Sequence, residues 1–214
     1  MNPMNAFLDD QRRIAETLAL ADHVVSKTGG LLDSSEVLRG AFVSVLSSLD
    51  LFVHSRVRQE VIRQYTSGSM ATKAGRALPV SLGHVRSADQ DPSLGWLHEA
   101  FQQKCGHLSF QDPSKISGAV SLVRDSSGLW DSVQQSCDVA NVKLQLKLQV
   151  DRRNQMVHES DRQPTDPSTL WTIDAATVWH AVAVVTAAVI GIDAYIADSE
   201  TIGSQLMMSR RPTS

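Results

Sequence analysis

Cysteine is scarce: Cys105 and Cys137 are the only two in 214 residues. A disulfide-built scaffold is excluded, and two reduced, buried thiols are the simpler reading than a single structural bridge. A basic surplus is missing too, since 20 Lys and Arg face 23 Asp and Glu for a net charge of −3. No global field advertises a nucleic-acid partner, so any RNA contact must come from a local patch or from one assembled across subunits. No apolar run reaches the roughly 20 residues of a membrane span. The longest, Ala181 to Ile192, is bounded by His180 and Asp193 and reads as a core or interface helix. Met1 to Asp10 holds acidic residues and no apolar run, so no signal peptide is expected and the cytoplasm is the expected location. A Gly-rich phosphate loop and a strand–turn–helix serine elbow are both absent, which makes nucleotide hydrolysis and serine hydrolysis poor fits. His98, Cys105 and His107 supply three zinc-ligand types where a structural site wants four in tight pairs, so no metal and no cofactor is expected.

What remains is ordinary globular material, 42% hydrophobic and 20% charged, enough for a normal core. The pattern is helical. Residues 9–28 carry Ile14, Leu18, Ala21 and Val25 at helical spacing, closed by Gly29-Gly30. From the N-cap candidates Asp33-Ser34-Ser35 to Thr66, the residues Leu38, Phe42, Val45, Leu46, Leu49, Phe52, Val53 and Val57 make one broad apolar face. This predicts a helix of about eight turns or more. Residues 67–93, with Gly68, Gly75, Pro79, Gly83 and Pro92, read as a loop-rich excursion. A short helix with Trp96, Leu97 and Phe101 inward follows, then short helical pieces to Cys137. Residues 138–161 conflict: Val142, Leu144, Leu146, Leu148 and Val150 alternate like a strand, whereas Val139, Val142, Leu146, Val150 and Val157 mark a helical face. Length and propensity favour a helix. A polar loop with Pro164 and Pro167 leads to Asp174, an N-cap for a last helix over 175–197 with Val178, Val182, Val185, Val189, Ile192 and Ile196 inward. The expectation is an all-α bundle: one domain over 1–198, with 67–137 as an insertion and 199–214 as a flexible C-terminal tail.

The segment Asp151-Arg152-Arg153-Asn154-Gln155-Met156-Val157-His158-Glu159 concentrates functional groups in an otherwise apolar region. Metal-free RNA cleavage needs a base for the 2′-hydroxyl, an acid for the departing 5′-oxygen and a cation for the phosphate. His suits either proton role because its unperturbed pKa of about 6.5 lies near working pH. Arg offers a planar fork for phosphate oxygens. On a regular helix Arg153 and His158 point about 140° apart, so the arginine's length, a second subunit or a helix irregularity must close the gap. Arg152 is no better placed, about 120° away on the other side. The bland alternatives are a surface or core histidine, an Arg153 salt bridge to Asp151 or Glu159, and a buried, purely structural Asn154. Asp50 and His54, at i and i+4, either pair with each other or support the motif helix. Glu159 and Asp161 read as solvated or capping groups, or as holders of an arginine. Arg56, Arg58 and Arg63 form either a solvated face or an RNA-backbone contact.

Arg153, Asn154 and His158 resemble the motif of the HEPN superfamily, an Arg followed by a polar residue, often Asn, and a His four to six positions after the Arg. The string RRNQMVHESD, a Pro-containing loop, LWTID and IDAYIAD resemble its RiboL-PSP branch, as does SSLDLFVHSRVRQEVI upstream. The resemblance covers roughly 34–66 and 138–197 and is silent on 67–137. It implies a HEPN-type bundle and a metal-independent endoribonuclease with catalytic Arg153, Asn154 and His158. Asp50, His54, Arg152 and Glu159 would be supporting residues. It also implies a homodimer that pools two motifs in one cleft, RNA as substrate, and a toxin–antitoxin or anti-phage defence setting with a partner protein. The rival expectations are a non-catalytic HEPN module that binds RNA or nucleotide or dimerises, and a helical adaptor within a larger complex.

Overall fold

A computed structural model describes residues 2–90 and 94–208, except for the side chains of 87, 89, 90 and 199–208. The fold is all-α, with one small hairpin. The first helix, α1 (Pro3–Thr28), starts earlier than the apolar spacing suggested. Asn2 caps it through its side chain and Pro3 occupies the first turn, where a missing N–H costs nothing. Next comes α2 (Ser35–Thr66), 32 residues long, or about 48 Å. All eight apolar residues of its predicted face are buried. α1 and α9 (Ala175–Met208) pack against this spine, and α8 (Val142–His158) packs on both α2 and α9.

Between α2 and α8 the described residues form five short helices: α3 (Lys73–Arg76), α4 (Leu82–Gln90), α5 (Gly95–Cys105), α6 (Pro113–Val120) and α7 (Leu129–Gln135). Residues 67–93, expected as a loop-rich excursion, carry the short helices α3 and α4, and the core resumes at Trp96. Trp96, Leu97, Phe101, Ile116, Val120, Leu129 and Val133 join the same core as α2 and α9. At Gly191 the two helices α7 and α9 pack closely, and a Cβ there would meet Val133 Cγ1 at 2.9 Å.

The helix–strand conflict over 138–161 resolves as helix, because Val142, Leu146 and Val150 are buried while the alternating Leu144 and Leu148 face solvent. Val157, expected inward, is exposed. The proline-containing loop is more ordered than expected: β1 (Arg162–Gln163) pairs antiparallel with β2 (Asp166–Leu170), Arg162 opposite Leu170 and Gln163 opposite Asp166. Asp174 accepts the Thr177 N–H at 2.7 Å, the expected capping contact. The backbone of α9 then continues to Met208, past the expected helix end at 197. No proline interrupts the helix before Pro212, and residues 209–214 lie outside the described residues. By length and composition alone, Ser35–Thr66 and Ala175–Asp198 are apolar enough to cross a membrane; here about half of each apolar window is buried inside the bundle.

The far end of α2 carries a fully buried carboxylate, Glu60, which accepts from Arg63 (2.5 and 2.9 Å), Gln64 (2.9 Å) and Arg56 (3.4 Å). Burial alone would raise its pKa, but the Arg63 and Gln64 hydrogen bonds and the charges of Arg63 and Arg56 outweigh it, holding the carboxyl below the usual 4.5. A depressed native pKa contributes stability above the unfolded value, and that stability is lost as pH falls through the native value. Glu60→Gln is therefore expected to flatten the acid side of a plot of unfolding midpoint against pH, below about 4.5. A variant curve parallel to wild type there would remove Glu60 from the acid sensitivity.

Candidate functional site

Residues 142–158 form a regular α-helix, closed by the Glu159 N–H on the Gln155 carbonyl at 2.9 Å. No irregularity brings Arg153 towards His158, and the two stay about 140° apart around the axis. The inward face carries Val142, Leu146, Gln149, Val150 and Met156, all buried, and Arg153 emerges in the middle of that face. His158, the last residue of the helix, is exposed on the outward face. Lys147, Asp151 and Asn154 share its stripe at spacings of 11, 7 and 4 residues.

The side chain narrows the gap. Arg153 Nη1 donates to Asn154 Oδ1 at 3.2 Å, so the guanidinium bends from the core side towards the residue one turn before His158. Its Nε–H is buried and has no hydrogen-bond partner among the described residues. The sequence alternative of a salt bridge from Arg153 to Asp151 or Glu159 is not what the structure shows: Asp151 accepts from Lys147 at 2.7 Å, and Glu159 is an exposed C-cap.

Arg152 does something different. Both its terminal nitrogens bind the Asp161 carboxylate, Nη1 very closely and Nη2 at 3.0 Å. Asp161 is 1% exposed. Arg39, from the first turns of α2, donates through Nε to the same carboxylate at 2.7 Å and through Nη2 to the Trp171 carbonyl at 2.7 Å. Backbone bonds complete the clamp, from the Asp161 N–H to Gln155 and from the Trp171 N–H to the Asp161 carbonyl. Ser160 and Asp161 turn the chain after α8 with φ of 51° and 57°, a left-handed pair in which a short polar side chain such as Asp is tolerated. Of the sequence alternatives for Asp161, holding an arginine is the one realised, and it holds two. Arg152, through the carboxylate it shares with Arg39 and its contact with the Thr172 carbonyl, is thereby a tether between α8, α2 and the segment that follows the hairpin. The surprise is Arg39, which the sequence reading did not single out.

Asp50 and His54 are occupied elsewhere. Asp50 accepts the Phe110 N–H at 2.5 Å. His54 Nε2–H donates to the Leu108 carbonyl at 2.9 Å, and its ring stacks on Phe110 at 4.3 Å between centroids. Their carboxylate–imidazole distance is 3.7 Å. They lie about 16 and 22 Å along α2 from Arg39, and the contacts they make fasten the α5–α6 connection. Of the three zinc-ligand types, Cys105 is buried in the core and burial pushes its thiol pKa up, while His98 and His107 face solvent.

The arrangement offers an accessible imidazole, an amide and an arginine head group on one side of α8, flanked by exposed Leu144 and Leu148. No protein-family model, curated protein or solved structure matches the chain.

Proposed function

We propose that the chain is a HEPN-like endoribonuclease that works without a metal, as a cytoplasmic homodimer. The observation that carries this is the contact from Arg153 to Asn154. It brings a guanidinium with no acidic partner among the described residues round to the face that bears His158, while the neighbouring Arg152 is consumed by Asp161. In the reaction the 2′-oxygen attacks phosphorus and the bond to the 5′-oxygen breaks. One histidine takes the 2′-hydroxyl proton and a second gives a proton to the leaving oxygen. The products are a 2′,3′-cyclic phosphate and a 5′-hydroxyl. Arg153 neutralises charge on the phosphoryl oxygens and Asn154 positions the arginine.

One protomer supplies one such histidine, so the chemistry calls for two α8 helices facing each other. Leu144 and Leu148, 56% and 50% exposed beside the His158 stripe, give that pairing an apolar contact. Control by an antitoxin or a defence-system partner protein belongs to the same reading, since an unrestrained ribonuclease is toxic to its host. A second reading, a non-catalytic HEPN-like module for RNA or nucleotide binding or dimerisation, is favoured by one observation. His158 has no hydrogen-bond partner among the described residues, so none of them orients it.

The test is cleavage of a mixed RNA panel by the purified chain with EDTA throughout, with end-group analysis and the oligomeric state measured in the same buffer. A dimer that leaves 2′,3′-cyclic phosphate ends is expected. A strict monomer, or cleavage that EDTA abolishes, sinks the composite metal-free site.

A further inference from the structure

The three arginines on the second half of α2 are not equivalent. Arg56 binds Asp193 at 2.7 Å and Glu60 at 3.4 Å, and Arg63 binds Glu60 at 2.5 Å. Arg58 makes no ion pair or hydrogen bond among the described residues, although it is half-buried. It sits where two adjoining clefts meet. One, of about 330 Å3, lies between α2 and α5 and is lined by His54, Ser55 and Gln102 as well as Arg58. The other, of about 410 Å3, shares Leu51, Ser55 and Arg58 with it and has His98 on its α5 side.

The lining is donor-rich, with Arg58 as its charged donor. Among the described residues no carboxylate lines the second cleft, and Asp50 is the one lining the first. Asp50 already accepts the Phe110 N–H, and it makes no ion pair with Arg58 among the described residues. Keeping an arginine half-buried without an anion is unfavourable, because part of its hydration is lost with nothing in return. An anion seated between Arg58 and His98, with the Ser55 hydroxyl and the Gln102 amide as further donors, supplies the missing partner. The planar fork of Arg58 suits two oxygens of one phosphorus.

We infer that Arg58, His98 and Ser55 form a phosphate-ester site on the α2–α5 face, separate from the α8 motif and about 28 Å along α2 from Arg39. The ligand is either a free nucleotide or the backbone of RNA, and both present the same phosphoryl oxygens.

The experiment uses the full chain carrying His158→Ala, in EDTA, so that binding is read without cleavage and whether or not α8 proves catalytic. A 5′-labelled single-stranded RNA is titrated by fluorescence anisotropy over a range of salt, and AMP is added as competitor. Arg58→Gln is expected to weaken binding about tenfold or more and to reduce the salt slope by about one. His98→Ala should weaken it less, and Ser44→Ala, on the same helix face but outside both clefts, should leave it unchanged. Competition by AMP at the Arg58-dependent site identifies a nucleotide ligand; binding of RNA alone identifies the backbone. Arg58→Gln binding like its parent, or a parent that binds neither RNA nor AMP, overturns the site.

Discussion

His158→Ala is expected to fold and dimerise normally and to lose EDTA-resistant RNA cleavage by about 10²–10⁴-fold, the usual contribution of a positioned general acid or base. The fold should not notice, because His158 is exposed at the end of α8 and has no hydrogen-bond partner among the described residues. The adjacent arginines should then part company. Arg153→Ala removes the guanidinium that reaches Asn154, so its loss should appear in turnover, with Arg153→Lys restoring charge but not the two-pronged contact. Arg152→Ala should fail first in a melting experiment, because Arg152 is tied to Asp161. A His158→Ala protein that cleaves like wild type would end the catalytic assignment. Loss of cleavage in Arg152→Lys at unchanged stability would move the phosphate contact from Arg153 to Arg152.

The second large effect concerns the clamp. Asp161→Ala is expected to cost about 3–5 kcal/mol in urea denaturation, because it leaves two arginines without the buried carboxylate that both share. For a chain of this size that corresponds to a fall in melting temperature of roughly 6–20 °C. Asp161→Asn separates charge from shape, since Asn tolerates the left-handed backbone at φ 57° and keeps one acceptor oxygen. Most of the loss should persist in the Asn variant. If it melts within a degree of wild type, the carboxylate charge is not what secures α8, and the two backbone bonds around Asp161 carry the junction instead.

The helices were legible because their apolar spacing leaves little choice. The stripe from Leu38 to Val57 can be buried only as one long helix, and every member is buried. Residues 142–150 were ambiguous on period alone, because Leu144 and Leu148 complete an alternation with Val142, Leu146 and Val150 while belonging to a solvent-facing side. The hairpin gave no signal: β2 is exposed at all five positions, so it has no in-and-out pattern to read. The motif could be located but not oriented, since facing depends on which side of α8 meets the core. Only packing shows that Arg153 rises from the core side and bends back to Asn154. Arg39 did leave a trace, as a charge embedded in the apolar stripe between Leu38 and Phe42. Its partner lies 122 positions away, and a single chain read on its own offers no way to pair them.

That separation has a consequence for how the protein is made. Arg39 leaves the ribosome roughly 6–25 s before Asp161 at about 5–20 residues per second, and the carbonyls of Trp171 and Thr172 that finish the junction come later still. Throughout that interval a nascent chain holds the residues of α2 without their clamp, and His158 itself is made only three residues before Asp161. Under the proposed function the unfinished polypeptide is harmless to the RNA around it, and a protein partner has those seconds to engage the chain before the junction closes.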